Sequence, residues 1–311
     1  MGEVVLAVDI GGTKTAAALA DRTGALLRVE VAATPAAEGR AAVVATVVAL
    51  AVRLLADTGQ RLAGVGIGTA GVVDSGAGTI VSATDTFADW PGTDVAGLIR
   101  AGLGDLLRPG ALIVVQNDVD AHAAGEYRHG AAAGAASALV VAVGTGVGGG
   151  LILDGRAVRG AHHVAGEIAH IPTPGADHLR CPCGRVGHLE AIGSGIGMHR
   201  HFIVLGGDPA IADARGIAAA ASAGDRTARR ALEESAAAVG RALAAAATLV
   251  DPERIVITGG VPNIGDAWWR PMLDAFHAEA IDALQNTPIL PGVLGDDAPL
   301  RGAAASAWRN P

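Results

Sequence analysis

The chain has 311 residues, 50% of them hydrophobic but only 3% aromatic, with 45 glycines and a net charge of −8. This length leaves room for two domains, whose interiors Ala, Val and Leu must fill. The acidic balance excludes the clustered Lys/Arg footprint of a nucleic-acid binder, and the longest apolar run, Ala41 to Val52, is too short to cross a bilayer.

Taken in chain order, Val4 to Val8 read as a buried strand running into Asp9-Ile10-Gly11-Gly12-Thr13-Lys14-Thr15. Successive N–H groups in a Gly-Gly turn form a concavity that suits phosphate. Asp9, at the strand end, is placed to hold Mg²⁺ or its water, while Thr13 and Lys14 can meet phosphate oxygens. The spacing is not that of a Walker A loop. The competing reading is an ordinary turn with a solvated Lys. The chain up to about Leu27 reads as a hairpin or meander, and Arg40 to Ala56 as a long Ala/Val-rich helix. Val65 to Gly68 form another strand, Thr93 to Leu107 a helix, and Ala111 to Val115 a strong strand ending at Gln116-Asn117-Asp118.

Asp118 therefore sits at the carboxyl end of a buried strand, where open α/β sheets bind ligands. A carboxylate there can take the proton of a hydroxyl that attacks a γ-phosphate. It can equally serve as the N-cap of the helix beginning near Val119. From Ala121 the chain is expected to enter a second lobe. Leu139 to Val143 read as a strand, then Gly144-Thr145-Gly146-Val147-Gly148-Gly149-Gly150, then Leu151 to Leu153 and the hairpin signal Asp154-Gly155. Strand, phosphate turn, strand describes this better than a dinucleotide fingerprint, which should open a helix. A third glycine pair, Gly259-Gly260, follows the strand-like Ile255 to Ile257. Ile211 to Val250 are mostly helical with a break at Gly224-Asp225, and Leu300 to Trp308 are helical.

Between these lies Gly166-Glu167-Ile168-Ala169-His170, followed by Cys181-x-Cys183 and His188-x-Glu190. The two cysteines are the only ones in the chain, so a disulfide-stapled secreted scaffold is excluded and a cytoplasmic protein is expected. With His170 before and His188 after, they supply four donors of the kind Zn²⁺ takes tetrahedrally, which makes the metal structural. His162, His163 and His178 lie close enough in sequence to replace one of the four. The rival is a surface loop with a redox-active cysteine pair. Glu167 and Glu190 flank the clamp and suit sugar hydroxyls, although an isolated Glu is by default solvated.

Asp9-Ile-Gly-Gly-Thr-Lys14, Gly68-Thr-Ala-Gly71 with Asp74, Trp90, Asn117-Asp118, Gly144-Thr-Gly-Val-Gly-Gly149, Gly166-Glu-Ile-Ala-His170, the Cys181-to-Glu190 segment, Gly259-Gly260 and Gly302-Ala-Ala304 run in one order from end to end. In that order they resemble the ROK family of sugar kinases, within the actin/hexokinase-like ATPase superfamily. The resemblance implies an α/β fold of two ribonuclease-H-like lobes with a ligand cleft between them. The expected lobes are 1–118, joined by a C-terminal helix at about 298–311, and 119–297 with the zinc loop. It implies ATP-dependent phosphorylation of a hexose or N-acylhexosamine at the 6-hydroxyl. Asp118 is then the general base, and Asn117, Glu167, His170 and Glu190 bind the sugar. Asp9, Gly11, Gly12, Thr13, Lys14, Gly144, Thr145, Gly146, Gly259 and Gly260 hold ATP and Mg²⁺, and His170, Cys181, Cys183 and His188 hold Zn²⁺. His170 would use one ring nitrogen on zinc and the other on the sugar. ATP is the expected donor, with polyphosphate the alternative. The expected partners are sugar and ATP, with neither nucleic acid nor membrane, and the family default is a homodimer.

Three residues depart from the family pattern. His188 stands where a third Cys is usual, Ala169 where Gly commonly precedes the zinc His, and His163 where Gly is kept. The segment Thr84 to Trp90 is expected to supply part of the wall that discriminates sugars at C2. The family also contains transcriptional repressors with a DNA-binding segment ahead of the first nucleotide strand. That strand begins here at residue 4, so the alternative carried forward is a sugar-binding regulator or sensor without kinase activity.

Overall fold

The structure is a computed structural model and describes residues 2–83 and 86–308. It comprises two compact units. Unit 1 is Met1–Gly134, Arg156–Ala165 and Val293–Pro311, and unit 2 is Ala135–Gly155 and Gly166–Gly292.

Unit 1 opens as an antiparallel meander of β1 (Val4–Ile10), β2 (Lys14–Ala20) and β3 (Leu26–Ala33). In α1 (Arg40–Leu55), Val43, Val47, Leu50, Ala51 and Leu54 recur at three- and four-residue spacing and form its buried stripe. β4 (Leu62–Thr69) pairs parallel with β1, and a small hairpin of β5 (Val72–Asp74) and β6 (Thr79–Ser82) follows. α2 (Val95–Leu103) is capped by the Asp94 side chain, which accepts from Gly97 N. It stops short of the expected Leu107 because Gly104, at φ 47°, forms its C-terminal cap. β7 (Leu107–Asn117) then pairs parallel with β4, and α3 (Asp118–His129) leaves its end. The sheet order is β3-β2-β1-β4-β7.

Unit 2 repeats the plan. β8 (Ala138–Val143) and β9 (Val147–Leu153) are antiparallel, and the two-residue β10 (Arg156–Ala157), which follows the Asp154-Gly155 turn, joins their sheet although its segment is grouped with unit 1. After a long loop come α4 (Glu190–Gly193), α5 (Gly195–Val204), α6 (Ala214–Ser222) and α7 (Arg226–Val250). Asp225 caps α7 through Thr227 N and Ala228 N, which accounts for the break expected there. β11 (Arg254–Thr258), α8 (Asp266–Glu279) and β12 (Ile289–Pro291) complete the unit. The sheet order β10-β9-β8-β11-β12 matches the first sheet strand for strand. The fold is thus α/β with two ribonuclease-H-like sheets, the duplication being invisible in the sequence. No helix among the described residues is long and apolar enough to cross a membrane.

The last helix, α9 (Ala298–Ala307), belongs to unit 1. Its Leu300, Ala303 and Ala304 pack on Val5 and Ala7 of β1, while Val4, Leu6 and Val8 join the α1 side of the core. With both faces covered, β1 reads as an unbroken apolar run.

The expected lobe boundary after residue 118 differs from the units found, because α3 belongs to unit 1. Its small face, Ala121 and Gly125, meets α9 so closely that a Cβ at Gly302 would strike Ala121 O. Glu126, fully buried, accepts from Val293 N and Leu294 N, each at 3.0 Å, and so holds the returning chain. Of the expected C-terminal helix, residues 309–311 lie outside the described ones, as do Thr84 and Asp85 of the expected C2 wall.

Candidate active site

In unit 1 the Gly-Gly turn joins β1 to β2, closed by Gly11 N donating to Lys14 O at 3.0 Å. Lys14 Nζ is half-exposed and pairs with Asp296 Oδ2 at 3.3 Å. Strand register sets Asp9 opposite Gly68 of β4, and Gly68 opposite Gln116 of β7. The carboxyl ends of three strands therefore lie level, with Asp9 on one and Asn117, the last residue of β7, leading into Asp118 on another. Gly68 lets α3 start this close to the sheet, since a Cβ there would sit 3.0 Å from Ala121 Cβ and 3.6 Å from Asp118 Cα.

The capping question has a clear geometric outcome. Asn117, not Asp118, is the N-cap of α3, its Oδ1 accepting from Val119 N at 2.8 Å and Asp120 N at 3.4 Å. Asn117 Nδ2 also donates to Gly71 O at 3.0 Å. Asp118 is thereby left as the first residue of the helix, with an accepted bond from Val119 N at 3.0 Å. Burial is the main influence raising its carboxyl above the usual range, with the Val119 N–H and the Asn117 side chain opposing. Burial first, and then the charge of Asp118, push Asp9 up to about 6, against the pull of Lys14. Two carboxylates that resist ionisation side by side suit a hard divalent cation such as Mg²⁺, which takes carboxylate oxygen.

The raised Asp9 carries a pH prediction with a definite sign. Its folded pKa of about 6 lies above the ordinary aspartate value of 3.8, so the folded chain binds its proton more tightly than the unfolded chain. The stability this contributes is full below about pH 4 and is lost as pH rises to about 6, a change on the order of 3 kcal/mol. Without added Mg²⁺, the urea midpoint of Asp9→Asn should gain on that of wild type across this window and run parallel above it. Parallel curves throughout would mean that Asp9 titrates as a solvated carboxylate.

In unit 2 the phosphate turn is shorter than the glycine run. Gly144 to Gly146 form the turn, with Gly144 N donating to Gly146 O at 2.9 Å, while Gly148 to Gly150 lie in β9 opposite Ala142, Val141 and Val140. Gly259 and Gly260 follow β11 beside it, and Val261 N donates to Val143 O at 3.0 Å. A cavity of about 400 Å³ opens over these glycines, lined by Gly144, Thr145, Gly195, Ile196, His199, Asp213, Arg215 and Gly260 among others. Its volume suits a nucleoside. The starts of α5 and α6, capped by Ser194 and Asp213, were not read as site residues. Their one sequence signal is the N-cap pattern, which by itself says nothing of a ligand.

The loop after β10 carries the remaining candidates. His170, Cys181, Cys183 and His188 bring one ligand atom each within 4.8 Å of one another. His170 Nδ1 lies 3.7 Å from Cys181 Sγ, and His188 Nδ1 3.3 Å from Cys183 Sγ. Edges of this length fit a tetrahedral zinc site, whose bond lengths give N···S of about 3.6 Å. His178 is not part of the group: its Nε2 meets His201 Nδ1 at 3.2 Å, and His201 Nε2 meets Glu234 Oε2 at 2.6 Å. Burial chiefly, and then the neighbouring Cys183 side chain and the Glu190 charge, push the Cys181 thiol up to about 12, the cost a cation must offset in taking the thiolate.

Sugar-side candidates cluster on the same loop. His170 turns Nδ1 to the cysteines and Nε2 to Glu167 Oε2, 3.8 Å away. Glu190, the first residue of α4, has Oε2 3.6 Å from Cys181 Sγ. Its Oε1 lies against Gly146, where an added Cβ would come within 2.6 Å of it. Ala169 sits in a tight turn without positive φ, so the loss of the usual glycine there is harmless. His163 is different. It holds φ 60°, a conformation costly for a side-chain-bearing residue, and its Nε2 lies 3.9 Å from Asp74 Oδ1 in unit 1.

A family model described as the ROK family matches residues 5–310. The bifunctional enzyme NanE/NanK of Brucella melitensis is 35% identical over 302 residues, or 96% of this chain, which spans only 53% of that enzyme's length. The glucokinase of Streptomyces coelicolor is 31% identical, with 97% of this chain and 96% of that protein covered. Among solved structures, a ROK family glucokinase from Streptomyces griseus in complex with glucose and AMPPNP superposes with a TM-score of 0.80 at 32% identity. That match covers 99% of this chain and 100% of the other.

Proposed function

The chain belongs to the ROK family, and on that premise we propose that it is an ATP-dependent kinase of a hexose or N-acylhexosamine, acting at the 6-hydroxyl. The observation that carries this reading is the position of Glu190. One of its carboxylate oxygens faces Cys181 of the Cys/His group and the other lies against Gly146 of the phosphate turn. A group that grips a sugar hydroxyl is thereby brought beside the N–H groups that grip a phosphate, as transfer between them requires.

In this reading Glu167, His170 and Glu190 take the sugar hydroxyls, and Asn117 uses the amide N–H left over from its bond to Gly71. His170, Cys181, Cys183 and His188 would hold zinc and fill its four positions, so that it would fix the loop and supply no reactive site. Lys14, Thr13 and the N–H groups of the turns at Gly11-Gly12, Gly144 to Gly146 and Gly259-Gly260 hold phosphate oxygens. Asp9 would hold Mg²⁺, whose charge would offset that on the phosphates. Asp118 accepts the proton of the 6-hydroxyl as its oxygen attacks the γ-phosphorus, and ADP leaves. We take the protein to be a cytoplasmic homodimer, a state that light scattering reads directly.

The test is ADP release from MgATP with glucose, mannose, N-acetylglucosamine, N-acetylmannosamine, fructose and allose in turn. One sugar is expected to stand clearly above the others, with a turnover of about 1–100 s⁻¹. Silence across the panel with zinc present overturns the kinase reading in favour of a sugar-binding sensor.

A further inference from the structure

One guanidinium spans Gln116 and Asp120, two residues to either side of Asp118. Arg159 Nη2 donates to Gln116 Oε1 at 2.7 Å, and Nη1 forms an ion pair with Asp120 Oδ2. Gln116 is the penultimate residue of β7, one before Asn117, is fully buried, and also accepts from Ser306 Oγ of α9 at 3.2 Å. Asp120 lies buried in the first turn of α3. The fork therefore joins the strand end to the helix start, two residues before Asp118 and two after it.

The Asn117 cap already takes the N–H groups of Val119 and Asp120 at the helix start, so the turn gains little of its own backbone pairing from this contact. Arg159 comes from Arg156–Ala165, a segment belonging to unit 1 although the chain on either side belongs to unit 2. Its charge also matters. Asp9 on β1 and Asp118 and Asp120 on α3 make one anionic group. Two cations act on it. Lys14 is 59% exposed and already paired with Asp296, whereas the Arg159 side chain is 23% exposed. A planar fork that donates to two fixed acceptors sets geometry as well as charge, which an ammonium cannot.

We propose that Arg159 is a positioning residue for phosphoryl transfer: by clamping Gln116 to Asp120 it holds Asp118 at the place where the attacking hydroxyl must be met. The inference rests on the kinase reading above. Arg159 touches neither sugar nor nucleotide in this account, so its loss should act on kcat and spare both KM values.

With the sugar that the panel selects, Arg159→Ala is expected to lower kcat by about 10²-fold, the scale of a 1 Å misplacement. KM for sugar and for ATP should stay within about twofold, since binding groups are untouched. Added guanidinium ion should restore a measurable part of the lost kcat, and Arg159→Lys should fall between the two. Full turnover in Arg159→Ala overturns the proposal. So does a loss shared by kcat and KM that guanidinium does not rescue. The clamp is read apart from turnover by a urea-unfolding cycle of Arg159→Lys, Asp120→Asn and the double variant. A double variant no less stable than the weaker single supports it, and strictly additive midpoints overturn it. An inactive wild type sinks the kinase reading, and with it the catalytic role of Arg159, while the cycle still decides whether the clamp exists.

Discussion

Asp118→Asn lowers kcat by at least about 10²-fold, the scale of a lost general base, and leaves sugar affinity close to that of wild type. The structure makes this substitution cleaner than it is at most helix starts. Asn117 carries the cap, so replacing Asp118 removes no bond on which α3 depends except the one accepted from Val119 N, which an amide oxygen also accepts. Removing its charge also relieves Asp9, whose raised pKa is due in part to Asp118. The variant should therefore fold as well as wild type, and a fall in kcat is then chemistry, not lost structure. Steady-state rates alongside calorimetric titration with sugar separate the two. Retention of full turnover would reduce Asp118 to an ordinary first-turn acid, stabilised by the helix dipole and nothing more.

Which parts of this site could be read from the sequence follows from how far apart the interacting residues are. β1, β8 and β11 are legible because each is covered on both faces and ends at glycine, so burial writes an apolar run and the turn writes its stop. The Cys/His group is legible for a similar reason: its four ligands fall within 19 positions and two of them are the only cysteines. The exclusion of His178 is not legible, since it depends on His201 of α5 and Glu234 of α7. The unit to which α3 belongs is set in the same way. α3 carries a polar stripe of Asp118, Asp120, His122 and Glu126, and only its contact with α9, almost 180 positions later, decides which sheet it joins. The start of β7 was missed because Arg108, Pro109 and Gly110 carry no strand pattern. Arg159 left no local sign at all, its acceptors lying some 40 residues upstream. His163 left a sign that needed the structure to interpret: a side chain where the family keeps glycine, at a φ that glycine adopts freely.

Cys183→Ser should lose zinc and raise the KM for sugar by at least about tenfold, the lower end of what a disturbed metal shell costs. The loop it anchors also holds its own path by backbone bonds, Thr173 N to Gly187 O and Cys181 N to Arg185 O at 2.8 Å and Gly187 N to Leu179 O at 3.0 Å among them, so losing the metal should disturb the aim of its side chains more than its course. Its regular contacts are single bridges, Pro172 with His188 and Arg180 with Val186, and among its buried side chains only Ala176, Leu179 and Cys181 reach the core of unit 2 between His170 and His188. A serine hydroxyl is a poor substitute for a thiolate on zinc, and three remaining ligands bind far more weakly than four. The consequence reaches the sugar through His170. Ligation at Nδ1 fixes the ring, and that in turn aims Nε2 toward Glu167. Without the metal the ring would be free to turn, and two of the three loop groups proposed to grip the sugar would lose their relative geometry. Asp118 and the phosphate turns are untouched by the change, so saturating sugar should recover most of the turnover. Metal content by atomic absorption and KM from initial rates must therefore change together. His188→Cys, which restores the ligand usual in the family, should keep both at wild-type values. If zinc is lost while KM stays put, the metal serves only the fold of the loop, and the orientation of His170 must come from its protein neighbours alone.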